Sequence, residues 1–118
     1  MRAYVVGRND CVAYVLQELG LPNIYEFVTQ FQISSGCLIA NLIKHLHELP
    51  RVKRIVFNPK LLVKKDILFM AGKTSPYVHH VAIYQDRNSV KHAIPGKIAG
   101  LDWFDRSKFV FGVTLSWV

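Results

Sequence analysis

The residues whose types and spacing could do chemistry are Cys11, His80 and His92. Cys11 lies in Asn9-Asp10-Cys11-Val12-Ala13-Tyr14-Val15, where Val12, Val15, Leu16 and Leu19 mark one apolar face of a helix. Asn9 or Asp10 can cap that helix, because either side chain accepts a hydrogen bond from a free first-turn N–H. Gly20 closes it and Pro22 prevents its continuation. A thiol in the first turn meets unpaired N–H groups and the positive end of the macrodipole, which favour a thiolate. The plainer alternative is a small buried apolar residue, the usual fate of a lone cysteine.

The histidines fall on a hairpin. His79-His80-Val81-Ala82-Ile83-Tyr84 leads through Gln85-Asp86-Arg87-Asn88 into Ser89-Val90-Lys91-His92-Ala93. If Tyr84 pairs with Asn88, the loop has three residues, a common hairpin length. Ala82 then faces Val90, and His80 faces His92. Directly opposed residues have Cβ atoms about 4.5–5.5 Å apart, so the two imidazoles can share a hydrogen bond. One ring would orient the other, as a catalytic base requires. Alternation sends His79 to the opposite face. A slip of one residue would exchange the roles of His79 and His80. The bland alternative is two sheet histidines with no task. Cys11, His80 and His92 could also be three zinc ligands, but no close ligand pair accompanies them, so neither a metal nor another cofactor is expected. His45 and His47, two apart on a helix, cannot share a face.

The elements that must position these residues follow from the hydropathy pattern. Tyr4-Val5-Val6 reads as extended, ahead of the Cys11 helix. Ile24, Phe27, Val28 and Phe31 predict a second helix over 23–32. Leu38, Ile39, Leu42, Ile43, Leu46 and Leu49 predict a third, ended by Pro50. After Pro50 the period changes. Extended segments are expected at 52–56, 66–70, 77–84, 89–94 and 109–117, with a Pro95-Gly96 turn and one helical turn over Leu101–Phe104. Helices first and antiparallel strands after predict an α+β domain, its helices segregated to one side.

The chain has 118 residues and is just over half hydrophobic, enough for one domain with its own core. Its net charge of +7, with basic clusters at 51–54 and 60–65, favours anionic partners, unless it is simply a solvated basic face. No zinc-finger spacing or aromatic-glycine RNA-binding signature is present, so no specific nucleic acid is expected. No apolar run approaches the roughly 20 residues needed to span a bilayer. The first residues are too soon interrupted for a secretory leader, so the expectation is a cytoplasmic chain, or one delivered by phage or leaderless secretion. Two cysteines are too few for a disulfide scaffold; one bond between Cys11 and Cys37 stays open, as does the oligomeric state.

The order of these motifs resembles the NlpC/P60 family of papain-like cysteine peptidases, which cut peptides of the bacterial cell wall. Asp10-Cys11-Val12-Ala13-Tyr14-Val15 is similar to the family's Asp-Cys-Ser-Gly-(apolar)-Val, and Leu19-Gly20-Leu21-Pro22 to the end of its catalytic helix. Lys65-Asp66-Ile67-Leu68-Phe69 resembles its Gly-Asp-(apolar)-(apolar)-Phe strand. His80-Val81-Ala82-Ile83-Tyr84 resembles its His-Val-Gly-Ile-Tyr, and Val90-Lys91-His92-Ala93 its (apolar)-(apolar)-His-Ala. The resemblance implies a single catalytic domain over 1–118, with N-terminal helices packed on an antiparallel sheet. It implies Cys11 as nucleophile, His80 as base and His92 as the orienting third residue. Tyr4 would lie near the oxyanion site, and Asp10 near oxyanion or substrate. The implied substrate is a peptidoglycan peptide or other anionic polymer. Val12 and Ala13 depart from the family's Ser-Gly, and Lys65 from its Gly. The segment between Cys11 and Asp66 is longer than usual. Cys37, behind Ser34-Ser35-Gly36, is the runner-up nucleophile; it lacks the preceding Asp and the Leu-Gly-Leu-Pro exit. Two other function classes stay open: a non-catalytic binding or structural module of a phage or secretion apparatus, and a thiol acyltransferase acting on lipid or protein.

Overall fold

The computed structural model describes residues 4, 10–21, 42–44, 52–72 and 78–116. Helix α1 spans Cys11–Glu18. Asp10 is its N-cap, and the carboxylate accepts from the Ala13 N–H at 2.8 Å. At the other end Gly20 takes a φ of 73°, the left-handed conformation that glycine adopts without penalty. The N–H of Leu21 then reaches the Leu16 carbonyl and that of Gly20 reaches Gln17, a paired closure of the last turn.

Six strands form one antiparallel sheet: β1 (Val52–Val56), β2 (Ile67–Ala71), β3 (Val78–Asp86), β4 (Ser89–His92), β5 (Gly100–Trp103) and β6 (Phe109–Leu115). Their order is β1-β6-β2-β3-β4-β5. In β2 the run Ile67-Leu68-Phe69-Met70 is buried at every position. A continuous apolar run suits a strand covered on both faces, whereas alternation suits one covered on a single face. The two faces carry separate cores. Val12, Val15 and Leu16 of α1 pack with Ile67, Phe69, Val81 and Val113 on one. Leu68, Met70, Ala82 and Val90 pack with Leu62 and Phe104 on the other.

This corrects the expected architecture. The chain does not form the α+β papain-like arrangement with N-terminal helices on a sheet. Among the described residues it is mostly a six-stranded antiparallel sheet with α1 as the single full helix. The physical reason lies in how the second face is covered. Loop residues Leu62 and Phe104 close it, so no helix is needed there. The helix expected over 23–32 lies outside the described residues. Of the third, only residues 42–44 are described, and they are helical. Among the described residues no helix is long and apolar enough to cross a membrane.

Two local expectations also change. Residues 100–103 form strand β5 rather than a helical turn: Gly100, Leu101, Asp102 and Trp103 pair with His92, Lys91, Val90 and Ser89. Sheet pairing supplies partners that one isolated helical turn could not. The β3–β4 register also differs. Ile83 pairs with Lys91, Tyr84 with Val90 and Asp86 with Ser89, leaving Arg87-Asn88 as the turn after a bulge. Carried one residue further, this register sets His92 opposite Ala82, not His80. The slip is of two residues, so every side chain keeps its face.

Asp66 is buried, accepting from the Val63 N–H at 2.9 Å and the Thr114 hydroxyl at 2.8 Å. It ties the start of β2 to β6. Lys65 beside it has a φ of 76°, which costs a side-chain-bearing residue about 1–2 kcal/mol. This is the position where the resembled family carries glycine.

Candidate active site

Three side chains at the β3–β4–β5 edge form a continuous hydrogen-bonded chain. His80 Nε2 lies 2.8 Å from His92 Nδ1, and His92 Nε2 lies 2.9 Å from Asp102 Oδ2. The imidazoles meet edge to face, with centroids 4.9 Å apart. Strand alternation explains the assembly. His80 shares the face of Ala82, His92 that of Val90, and Asp102 sits opposite Val90. Diagonal neighbours on a sheet face lie about 7–8 Å apart, within reach of long side chains, so the shifted register still lets the rings touch.

The carboxylate sets the direction of the chain. The hydrogen bond from His92, helped by the Trp103 N–H and the Lys97 ammonium, pulls the Asp102 pKa down to about 2. Asp102 is therefore an acceptor only. In the neutral tautomer that suits this acceptor, His92 donates from Nε2 and accepts at Nδ1. His80 in turn donates from Nε2 and keeps its Nδ1 unprotonated. Burial is the main cause that lowers the His80 pKa to about 3, with His92, His79 and Lys108 adding to it. A neutral ring with one bare nitrogen is the form a general base needs.

Sequence reasoning missed Asp102. The signal was available: Leu101 and Trp103 flank it at period two, the pattern of a strand, but the segment was expected to be helical.

Cys11 is the first residue of α1 and is 1% exposed. Its N–H donates to the Tyr4 hydroxyl at 3.2 Å. The thiol hydrogen-bonds with Tyr4 and with the backbone of Val81 and Val12; His80 is not among its partners. Burial pushes the Cys11 thiol up, and the adjacent Asp10 carboxylate adds to that, outweighing those hydrogen bonds. The expected thiolate at a helix terminus is thus corrected: an apolar environment and a neighbouring carboxylate outweigh a two-turn helix. Cys11 belongs to the core on the α1 face, whereas His80 and His92 alternate with residues of the other core.

A cleft of about 830 Å³ runs along the histidines, lined by Tyr4, His79, His80, His92, Asp102 and Lys108 among others. His79, assigned by alternation to the far face, lines it too. Its ring lies against Gly72, where a Cβ would stand 1.9 Å from Nε2. Asp10 serves as the α1 cap. Cys37, His45 and His47 lie outside the described residues. Among the described residues no group of three or more His, Cys, Asp or Glu is placed to hold a metal ion. No family model matches this chain, and no curated protein or solved structure matches it either.

Proposed function

We propose that the protein is a cysteine hydrolase that cleaves an amide bond, with Cys11 as nucleophile, His80 as base and His92 and Asp102 as positioning residues. The observation that carries this reading is the Asp102–His92–His80 chain, which leaves His80 Nδ1 free to take a proton. With the thiol raised and the imidazole lowered, the resting pair is neutral. Proton transfer from Sγ to His80 then accompanies attack. The sulfur–carbon bond forms, and the carbonyl π electrons move to oxygen. The Tyr4 hydroxyl, which accepts from the Cys11 N–H, is the proposed donor to the developing oxyanion, and the N–H joins it only once that bond is released. Collapse expels the amine with the proton from His80, and water then hydrolyses the thioester. The motif order, which resembles that of NlpC/P60 enzymes, and the positive charge favour peptidoglycan stem peptides as substrate.

The test is incubation of wild type and Cys11→Ala with peptidoglycan fragments, products being read by mass spectrometry. New amine and carboxyl termini in the wild type alone support the reading; none in either overturns it.

A second reading, a non-catalytic binding module, is favoured by one observation: the thiol is buried and hydrogen-bonds elsewhere than to His80. Alkylation separates the two. A catalytic Cys11 labels selectively under native conditions, and a core cysteine labels only on unfolding.

A further inference from the structure

The histidine cleft continues past Tyr4 into a second cavity. This one has about 240 Å³ and lies between α1 and the β4–β5 connection. Its walls are mainly apolar: Ala13, Ala93, Ile94, Ile98 and Ala99, with Gln17 as a polar member. Tyr4, Ile94 and Lys97 line both cavities, so the two meet there. Cys11 is buried and lines neither cavity, but its backbone and its helix neighbours reach that junction. Its N–H is on the Tyr4 hydroxyl, and its helix neighbours Asp10 and Ala13 line the second cavity.

The two cavities offer opposite chemistry on either side of Tyr4. On one side are imidazoles, Asp102 and Lys108. On the other are small aliphatic side chains, and Ile98 among them is 79% exposed. Binding pockets are typically apolar with a few placed polar groups. An apolar cavity of about 150 Å³ is enough to hold benzene, so this one has room for a branched aliphatic side chain.

We infer that the second cavity is the subsite for a leucine-sized apolar side chain of the substrate, next to the bond that Cys11 attacks. The inference rests on the cysteine-hydrolase reading for the position of that bond. The occupant covers Ile98 and packs on Ala13 and Ala99. Among the amides of the class proposed above, the subsite then selects one with a bulky apolar residue beside the scissile bond over one with glycine. Ala13 fits this role, since its methyl forms part of the wall without closing it.

The test uses the full chain carrying Cys11→Ala, with alanine methyls labelled for NMR. N-acetyl-leucinamide and N-acetyl-glycinamide are titrated in parallel. Leucinamide is expected to shift the Ala13, Ala93 and Ala99 methyls saturably, with at least tenfold tighter binding than glycinamide. Ala99→Phe, at an exposed position that tolerates substitution, should remove that advantage. Equal binding of the two amides, or full advantage in Ala99→Phe, overturns the inference. The outcome is separable from that of the hydrolase reading. Leucinamide bound as expected with no hydrolysis by wild type keeps the subsite and sinks the nucleophile. Hydrolysis of wall peptides with leucinamide ignored does the reverse.

Discussion

Cys11 sits in the apolar core beneath α1, whereas His80, His92 and Asp102 line an open cleft at the sheet edge. The histidine side is fully connected: every polar atom between the His80 Nε2 and the Asp102 carboxylate has its partner. On the cysteine side, burial holds the thiol protonated and Tyr4 stands on its N–H. On the proposed reading, one half of the site is preorganised and the other is held in a resting form. Under the proposed mechanism, reactivity comes from bringing the thiol to a base that His92 already holds, not from a standing thiolate.

The largest effect expected on this contrast is from Cys11→Ala. Hydrolysis should fall to background on any substrate the wild type cleaves. The fold should persist, since losing one small side chain costs about 1 kcal/mol unless a cavity opens. Circular dichroism with product analysis checks both. Full activity in Cys11→Ala together with loss in Cys37→Ala would move the nucleophile out of the described site.

His80→Ala comes next. Removing a general base typically lowers the rate by about 10²–10⁴. Because the two sides share no hydrogen bond at rest, the pH dependence of Cys11 alkylation should stay the same in this variant. A rise in the alkylation pKa on losing His80 would show that a thiolate–imidazolium pair does exist at rest.

Asp102→Asn should cost less. Where an aspartate touches the base directly, the asparagine variant loses about 10⁴, through the wrong tautomer. Here the carboxylate acts through His92, so a loss of about 10–10² is expected. An amide NH₂ can donate to His92 and reverse the chain, returning a proton to His80 Nδ1. The apparent pKa of kcat should move with it, which a merely structural aspartate would not cause.

These residues also show what the sequence made legible. Periodicity and capping residues marked the extent of α1 and the segments of β1, β2, β3, β4 and β6, because each is a local pattern, whereas β5 was read as a helical turn. The pairing of His80 with His92 was legible in its face, though not in its register, since a bulge beside Asp86 adds a residue that no turn signal announces. The position of α1 was not legible. Alternation tells that His80 shares a face with Ala82, but not which face a helix far away in sequence will cover. For the same reason the burial that raises the Cys11 thiol could not be read from its helix position.

Acid should act on the histidine side first. The folded His80 has a pKa of about 3 against an ordinary 6.5. Between those values the unfolded chain binds a proton that the folded chain does not, so stability falls as pH drops from 6.5 towards 3. Asp102, at about 2 against 3.8, contributes stability that is present above 3.8 and lost below it. The two windows follow one another. His80→Gln should flatten the Tm profile above pH 4, and Asp102→Asn only its lowest part. A wild-type slope retained in His80→Gln would mean that His80 is protonated in the fold.

The smallest expected effect sharpens the contrast most, because it touches neither half. Lys65 holds a φ of 76° just before β2. Glycine adopts that conformation freely, so Lys65→Gly removes a penalty of about 1–2 kcal/mol, offset in part by the entropy glycine loses on folding. The net gain should be about 1 kcal/mol or less, raising Tm by roughly 4 °C. The informative measurement is the alkylation rate of Cys11 in this variant. If the thiol reaches solvent only when the whole domain opens, 1 kcal/mol of added stability slows labelling about fivefold. If it is uncovered by a local movement of Tyr4, the rate is unchanged, because that movement leaves the β2–β6 contact intact. An unchanged rate is the result the hydrolase reading requires, since it needs the thiol to be uncovered locally beside Tyr4. A fivefold slowing would make Cys11 a core residue like Val12, and the cysteine side of the site would have no resting form to leave.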